Sequence, residues 1–321
     1  MSLVKHHFMK EFVRRFRITY ALYNFFHKKD LIHNEAVYKK LGIQKKYYSS
    51  VSSKDFAHLP GALHDQIRFD EHKLKQCALY NELSSEDQQS LQNYEEQGYA
   101  VLKQYVSEDA IEQINQAIDT GLENGRYEFI NNGKIMFAFH SIPALKAIGS
   151  HTKLLELLDV LIDGKAVLFQ SINFKMGSEQ HTHSDSIHMT TYPLGGLLGV
   201  WIALEDIDED NGPLHYYPGS HKLPYYLNKD YDNEGNGIMI GSKSYDAYEE
   251  MIAEKIKDHQ IVKKNFTAQK GDVLVWHANL FHGGNEHTNK SKTRKSVVFH
   301  YFKEGCICYH EITQRPALIK M

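Results

Sequence analysis

The chain has 321 residues, of which 42% are hydrophobic, and its 37 Lys and Arg against 40 Asp and Glu give a net charge of −3. This composition supplies enough apolar residues for a core and argues against a disordered chain. No run approaches the eighteen or so apolar residues that a membrane-spanning helix needs, so an integral helical membrane protein is not expected. The length predicts one large domain or two modest ones.

The cysteine content and the first residues of the chain indicate the cellular compartment in which the protein is expected. Cys77, Cys306 and Cys308 supply neither a disulfide framework nor a CxxC zinc pair. The segment Met1–His7 shows no apolar stretch followed by a small-residue cleavage site, so no signal peptide is expected. We therefore expect a cytoplasmic protein in a reducing setting.

Positive charge is concentrated in residues 1–48, which hold 11 Lys and Arg against 3 Asp and Glu. The same segment carries an aromatic stripe at helical spacing, typical of core packing, formed by Phe8, Phe12, Phe16, Tyr20 and Tyr23. We expect this basic helix to dock on the chain's own core or on a second copy, which would give a homo-oligomer. An anionic membrane is the alternative, whereas no base-reading motif accompanies the charge and nucleic acid is not expected.

Residues 1–93 are predicted to form a helical and loop extension that packs on a catalytic core spanning residues 94–321. A short strand follows Gly98, and Ser107 is expected to cap a helix whose buried positions have helical spacing. Those positions are Ile111, Ile114, Ile118 and Leu122. A second, leucine-rich helix is predicted over residues 152–161.

From Lys165 onward the pattern changes to short β-branched or aromatic runs separated by turn residues. Strands are predicted at Ala166–Lys175, Leu197–Glu205, Leu214–Tyr217, Asp272–Trp276 and Ser296–Phe302. Such strands indicate an α+β protein with a sandwich or jelly-roll core. Residues 224–265 interrupt them with a helix-like segment at 245–258, which we interpret as a lid or binding loop.

The stretch from Gln180 to Asp185 contains the first candidate for chemistry. Residues two apart point to the same face of a strand, so His181, His183 and Asp185 would share a face if this stretch is extended. Two histidines and one carboxylate on one face suit non-haem Fe(II). One histidine and the aspartate of this stretch supply only two ligands, which is half a site. A third ligand is therefore expected from elsewhere, and His277 and His282 are the candidates.

A candidate anion site follows in the last long strand. Arg294 and Ser296 share a face of an extended strand and together can hold a carboxylate through two guanidinium hydrogen bonds and a hydroxyl. Lys292 and Lys295 are neighbouring cations that offer an alternative, although lysine lacks the planar fork of arginine.

These residues carry a resemblance to the phytanoyl-CoA dioxygenase family of Fe(II)/2-oxoglutarate-dependent oxygenases, strongest over residues 94–305. The matching segments are Glu96–Leu102, His183-Ser184-Asp185, Trp201–Asp206, Asn211–Leu214, Pro218–Lys222, Gly271-Asp272 and His277–Arg294. The order and spacing of these segments together make the resemblance specific. It implies a double-stranded β-helix, with flanking helices, that binds iron and the cosubstrate 2-oxoglutarate.

Carried over position by position, the resemblance implies that His183, Asp185 and His282 bind the iron. It implies that Arg294 holds the distal carboxylate of 2-oxoglutarate and that Trp201 lies beside the cosubstrate. His181 then becomes a pocket wall and His277 a hydrogen-bonding histidine at the end of a strand. The expected reaction is hydroxylation of a small molecule with O2, releasing succinate and CO2.

Other histidines receive structural roles in this interpretation. His221 is expected to fix a loop, and His188 and Tyr192 are candidates to line the substrate pocket. Related halogenases carry a small residue in place of the aspartate, so Asp185 implies hydroxylation or another oxidation. A metal-dependent cupin-like enzyme that does not use 2-oxoglutarate and a non-catalytic β-sandwich binding protein are the competing hypotheses.

Overall fold

The structure is a computed structural model that describes residues 15–61, 65, 67–130 and 133–319. Phe8 and Phe12 of the aromatic stripe lie outside these residues. Eleven α-helices of the described part are α1 (Arg17–Phe26), α2 (Asn34–Leu41), α3 (Ser53–Phe56), α4 (Glu71–Gln76), α5 (Ala78–Glu82), α6 (Ser85–Gln92), α7 (Tyr94–Gln97), α8 (Glu108–Glu123), α9 (Pro143–Gly149), α10 (Thr152–Leu161) and α11 (Tyr245–Asp258). None of them is long and apolar enough to cross a membrane.

Twelve strands of the described residues form three sheets in which all the strand pairs are antiparallel. They are β1 (Tyr99–Leu102), β2 (Lys134–Met136), β3 (Ala166–Phe174), β4 (Thr190–Tyr192), β5 (Leu197–Ala203), β6 (Leu214–Tyr216), β7 (Lys264–Phe266), β8 (Val273–His277), β9 (His282–Gly284), β10 (Ser296–Lys303), β11 (Ile307–His310) and β12 (Arg315–Pro316). The largest sheet has the order β1-β8-β5-β10-β3-β2, and the smaller sheets have the orders β12-β11-β4 and β7-β6-β9. The prediction of an α+β protein with antiparallel sheets is confirmed.

Alternation along the central strands sorts their side chains onto two covered faces. On β10, Val297 and Phe299 belong to a core shared with Ile111 and Ile114 of α8, whereas Val298 packs on the opposite face. Strands covered on both faces read as continuous apolar runs, as this sheet does. This is why the sequence showed β-branched runs in place of a clean polar–apolar alternation.

The N-terminal helix α1 docks on two distant parts of the chain. The Arg17 amide donates to the Ile238 carbonyl at 2.9 Å, in the loop before α11. On β12, the Arg315 guanidinium lies 5.7 Å from the ring of Tyr20 and 5.4 Å from that of Tyr23. The extension therefore contacts both the insertion and the C-terminal sheet.

Helix α11 matches the sequence prediction for residues 245–258. It is tied to the strand segment that carries the candidate ligands, because the Tyr248 hydroxyl lies 3.3 Å from the Ser184 amide and 3.1 Å from the Ser184 hydroxyl. Tyr248 is completely buried. The insertion is thus packed against the core and covers one side of the segment that carries His183 and Asp185.

Candidate metal and cosubstrate site

Three side chains from distant parts of the sequence meet in one buried cluster beside the central sheet. His183 Nε2 and His282 Nε2 lie 3.9 and 3.7 Å from Asp185 Oδ1, and one donor atom from each residue falls within 4.8 Å of the others. All three residues are buried. Two imidazoles and one carboxylate converging in this way form a donor set that suits a divalent metal such as Fe(II).

Backbone pairing brings the two histidines together. The amides and carbonyls of His183 and His282 are hydrogen-bonded to one another at 2.9 Å in both directions. The Nδ1 atoms of His183 and His282 face the carbonyls of His181 at 2.8 Å and Leu280 at 3.0 Å. When Nδ1–H donates to a carbonyl, the Nε2 lone pair is left free for a metal.

The stretch around Asp185 is not the extended strand on which the sequence argument for a shared face was conditional. His183 forms an isolated bridge, and Asp185 begins a short 3-10 turn at residues 185–187. His181 is exposed and contributes its backbone carbonyl to the orientation of His183. Its ring lines the cavity but does not join the cluster of three.

Asp185 is held by a neighbouring strand. The Trp276 indole N–H donates to Asp185 Oδ2 at 2.8 Å, and His300 Nε2 lies 3.6 Å from the same oxygen. Burial on its own raises the pKa of Asp185, but the nearby charges of His282 and His300 outweigh this effect, so the pKa falls below its ordinary value. Asp185 is therefore a carboxylate at neutral pH.

Burial lowers the pKa of His183 well below its ordinary value, with a further lowering from His282 and His188. It also lowers the pKa of His188 to about 3. These imidazoles are therefore neutral at pH 7, which is the form that binds metals.

A buried arginine without a partner lies beside the three residues. Arg294 is 1% exposed, and its Nε and Nη1 atoms have no hydrogen-bond partner among the described residues. The guanidinium lies 5.8 Å from the ring of Phe174 and 6.0 Å from that of Trp201, whose indole N–H is also without a partner in the described part. Burial lowers the pKa of Arg294 to about 10, so it is charged at neutral pH.

An unpaired buried guanidinium is costly unless an anion compensates it. The alternatives to Arg294 are occupied, because Lys292 pairs with Asp208 and Lys295 with Asp119. Ser296 is fully buried and its hydroxyl has no partner among the described residues, but it does not line the cavity. The geometry thus leaves Arg294 and Trp201, and not the two lysines, facing the space beside the triad.

Sequence reasoning missed a second cation in this space. Lys134 on β2 lines the same cavity, and its Nζ lies 5.8 Å from the Phe174 ring and 3.4 Å from Gln180 Oε1. Burial lowers the pKa of Lys134, an effect that Asp185 partly opposes. No motif surrounds Lys134, and only the pairing of β2 with β3 places it opposite Phe174.

The cavity has a volume of about 650 Å³ and is bounded by the central strands on one side and by α11 on the other. On the α11 side, the Tyr245 hydroxyl lies 2.9 Å from His188 Nε2 and 3.4 Å from Gln180 Nε2. Asp246 and Glu249 of the same helix also line the space. The predicted role of His188 in lining the pocket matches its position.

Three other residues named from the sequence lie away from the cavity. His277 Nε2 is 2.8 Å from Asp65 Oδ2, and its Nδ1 accepts from the Asn279 amide at 3.1 Å. His221 Nε2 faces the Glu95 carbonyl at 3.1 Å, which fits a loop-fixing role. The suggestion that Tyr192 lines the pocket is wrong, because its ring stacks on Phe56 at 4.7 Å on the far side of β4.

The comparisons with known proteins agree with this geometry. A family model described as phytanoyl-CoA dioxygenase (PhyH) matches residues 145–296, which include all three residues of the cluster and Arg294. This region of the chain, about half of its length, is similar to the phytanoyl-CoA dioxygenase family. The resemblance stated from the sequence is confirmed.

Two relatives are named phytanoyl-CoA dioxygenase domain-containing protein 1, or its homolog. The Danio rerio protein is 31% identical over 122 residues, which are 34% of this chain and 41% of the relative. The Caenorhabditis briggsae homolog is 24% identical over 272 residues, which are 66% of this chain and 90% of the relative. The chain thus spans under half of the first protein and most of the second.

Among solved structures, the chain is similar to the non-heme alpha ketoglutarate dependent carbocyclase SnoK from nogalamycin biosynthesis. The TM-score is 0.58 at 19% identity, over 71% of this chain and 87% of SnoK. At this identity the likeness concerns the fold. The described part of the chain thus shares its fold with this carbocyclase.

Proposed function

We propose that this protein is an Fe(II)- and 2-oxoglutarate-dependent oxygenase that hydroxylates a small molecule and releases succinate and CO2. The observation that carries the proposal is the buried Arg294, whose Nε and Nη1 find no hydrogen-bond partner among the described residues, in the cavity that contains the His183, Asp185 and His282 cluster. The proposal includes a double-stranded β-helix core at residues 94–321 and an N-terminal extension at residues 1–93. It also places the protein in the cytoplasm.

The residues fit the proposed metal and cosubstrate. His183, Asp185 and His282 would hold Fe(II), since each presents one donor atom to a common point. Arg294 would hold the distal carboxylate of 2-oxoglutarate, with Ser296 behind it and Trp201 along one side. Iron with 2-oxoglutarate supplies the activation of O2 by oxidative decarboxylation of the cosubstrate.

The chain's own groups supply binding, orientation and exclusion of water. Trp276 fixes the carboxylate of Asp185, and the carbonyls of His181 and Leu280 fix the two imidazoles. The Arg294 and Lys134 cations each lie 5.8 Å from the ring of Phe174. The two cations give the cavity wall a positive charge that complements a dicarboxylate.

The primary substrate is expected to occupy the remainder of the cavity, between the metal cluster and α11. The volume of about 650 Å³ suits a small molecule together with the cosubstrate. Tyr245, His188 and Gln180 present hydrogen-bonding groups on this side. They are the groups best placed to orient the substrate over the cluster.

The competing hypothesis of a metal enzyme that does not use 2-oxoglutarate leaves Arg294 unexplained. Anaerobic titration separates the two. Addition of Fe(II) and then 2-oxoglutarate should produce the weak visible charge-transfer band of the chelate, and Arg294→Ala should require much more 2-oxoglutarate to reach it. Absence of the band in the wild-type protein, with Fe(II) bound, would overturn the proposal.

The control for this titration is Lys295→Ala. Lys295 neighbours Arg294 in sequence but its ammonium lies 2.9 Å from Asp119, outside the cavity. Its removal should leave the 2-oxoglutarate titration unchanged. Coupled succinate release in a substrate screen then tests turnover.

A further inference from the structure

A cluster of aromatic rings and lysines lies on the surface of the N-terminal extension, which the proposed chemistry does not use. We name it the aromatic–basic patch; its members are Phe25, Phe26, Lys28, Lys46, Tyr47 and Tyr48. The rings form a continuous chain, with centroids 5.8 Å apart for Phe26 and Phe25, 6.1 Å for Phe25 and Tyr48, and 5.1 Å for Tyr48 and Tyr47. The ammonium of Lys28 lies 5.2 Å from the Phe25 ring.

The apolar part of this surface is unusually exposed. Phe26 is 78% and Phe25 is 47% exposed, and the same helix presents Ile18 at 66% and Leu22 at 54%. Single exposed apolar residues are ordinary, but a contiguous group of this kind marks a surface that binds a partner or a membrane. Helix α1 therefore has one side on the body of the protein and another without a covering element among the described residues.

The charge around these rings is positive. In residues 15–48, eight Lys and Arg stand against Asp30 and Glu35. Lys28, Lys29 and Lys46 have no carboxylate within ion-pair distance in the described part of the chain. The Lys46 ammonium lies 5.8 Å from the Tyr48 ring, so cations and rings occupy the same surface.

We propose that the aromatic–basic patch docks the protein on an anionic lipid membrane. Aromatic rings favour the depth of the lipid headgroups, where the ring is in apolar surroundings and lysine side chains extend to the phosphates. Anionic lipids attract basic residues, and the apolar side chains of α1 enter the acyl boundary. The combination of exposed phenylalanines with unpaired lysines fits this partner better than a nucleic acid, which would call for cations without the apolar surface.

The position of α1 links this surface to the cavity. Tyr23, one turn before Phe26, lines a second cavity of about 260 Å³ whose walls include the apolar side chains of Phe137, Phe169 and Met189. This cavity shares Gln170, Met189, His310 and Arg315 with the larger one. If the proposed oxygenase function holds, docking would place an apolar compartment of the site close to the membrane surface.

Vesicle flotation tests the docking without any need for iron or turnover. The full chain should float with vesicles of phosphatidylcholine and phosphatidylserine, and should float much less with phosphatidylcholine alone or at high salt. The double variant Phe25→Ser/Phe26→Ser should weaken flotation at least tenfold, as should Lys28→Glu/Lys29→Glu. Val262→Ser is the matched control, because Val262 is 75% exposed on a different element.

Two results would overturn the proposal. One is wild-type protein that stays unbound on anionic vesicles at low salt, and the other is the Phe25/Phe26 double variant floating like the Val262 control. Light scattering during size-exclusion chromatography tests whether the patch instead binds a second copy of the chain. If the wild-type protein is a dimer that does not bind vesicles, and the Phe25/Phe26 variant is a monomer, the patch serves self-association. The iron and 2-oxoglutarate titration is read separately, so failure of either proposal is distinguishable from failure of the other.

Discussion

The two walls of the main cavity are built differently. The strand wall carries Trp201, Trp276, Arg294 and His300 on or beside strands of a ladder that pairs β8, β5 and β10 residue by residue. The lid wall is a single helix inserted between strands, held to the metal-bearing segment by the hydroxyls of Tyr245 and Tyr248. In the proposed function the strand wall would hold the cosubstrate and orient Asp185, and the lid wall is the part free to differ with the substrate.

The largest effect is expected at Asp185 of the metal cluster, which Trp276 of the strand wall holds in place. Asp185→Ala removes the only carboxylate of the cluster and should lower both Fe(II) binding and succinate formation by more than about 100-fold. Equilibrium Fe(II) binding and coupled succinate release measure it. His181→Ala is the control and should keep the iron, because His181 contributes only a carbonyl to the orientation of His183; iron bound equally by both variants contradicts the ligand assignment.

A second change, on the strand wall itself, should affect the cosubstrate and spare the metal. Arg294→Ala removes charge-assisted hydrogen bonds worth about 1.5–3 kcal/mol, so KM for 2-oxoglutarate should rise about 10- to 100-fold. Fe(II) affinity should change little. An unchanged KM would show that another cation, of which Lys134 is the nearest candidate, holds the distal carboxylate.

On the lid wall, Tyr248→Phe should act on stability and leave cosubstrate binding alone. The variant loses a buried hydroxyl that contacts the Ser184 amide and hydroxyl, so the free energy of unfolding should fall by about 1–2 kcal/mol. Denaturant unfolding measures the loss, and KM for 2-oxoglutarate should stay within about twofold. Tyr226→Phe on the same insertion is the control, and equal unfolding curves for the two variants would contradict the anchoring role of Tyr248.

The smallest expected effect lies behind the strand wall, where Asp65 joins the extension to His277. Burial raises the pKa of Asp65, but hydrogen bonding to His277 and its charge outweigh this, and the net pKa is lowered. A lowered pKa stabilises the fold at pH values above the ordinary carboxyl pKa of about 3.9. This contribution is lost as the pH falls through the pKa of the folded state. The Tm difference between wild type and Asp65→Asn should therefore be largest near neutral pH and should shrink as the pH approaches that range; a difference that grows on acidification contradicts the sign.

The strand wall was largely predictable from the sequence, because its signals are local. The short β-branched runs and the Gly271-Asp272 turn each lie within a few residues, as does the His183-Ser184-Asp185 spacing of the cluster beside this wall. The alternation of side chains along β8 explains why His277 lies outside the cluster. Val273, Val275 and His277 share the helix-covered face of β8, so His277 points away from the cavity into which Trp276 projects.

The lid wall and Lys134 could not be predicted, because they depend on packing between distant segments. The sequence indicated a helix at residues 245–258 but not that Tyr245 would meet His188, 57 residues away. Lys134 reaches the cavity only because β2 pairs at the edge of β3. The error at Tyr192 has the same origin, since its stacking partner Phe56 belongs to the N-terminal extension.

The hydrogen bond from Trp276 to Asp185 would limit how many oxygens Asp185 offers to a metal. With Oδ2 engaged by the indole N–H at 2.8 Å, only Oδ1 faces the two histidines. In the proposed site, His183, Asp185 and His282 would then each supply one donor atom, which would leave room around the metal for the cosubstrate and O2. Trp276 would thus keep the second carboxylate oxygen from taking up that room.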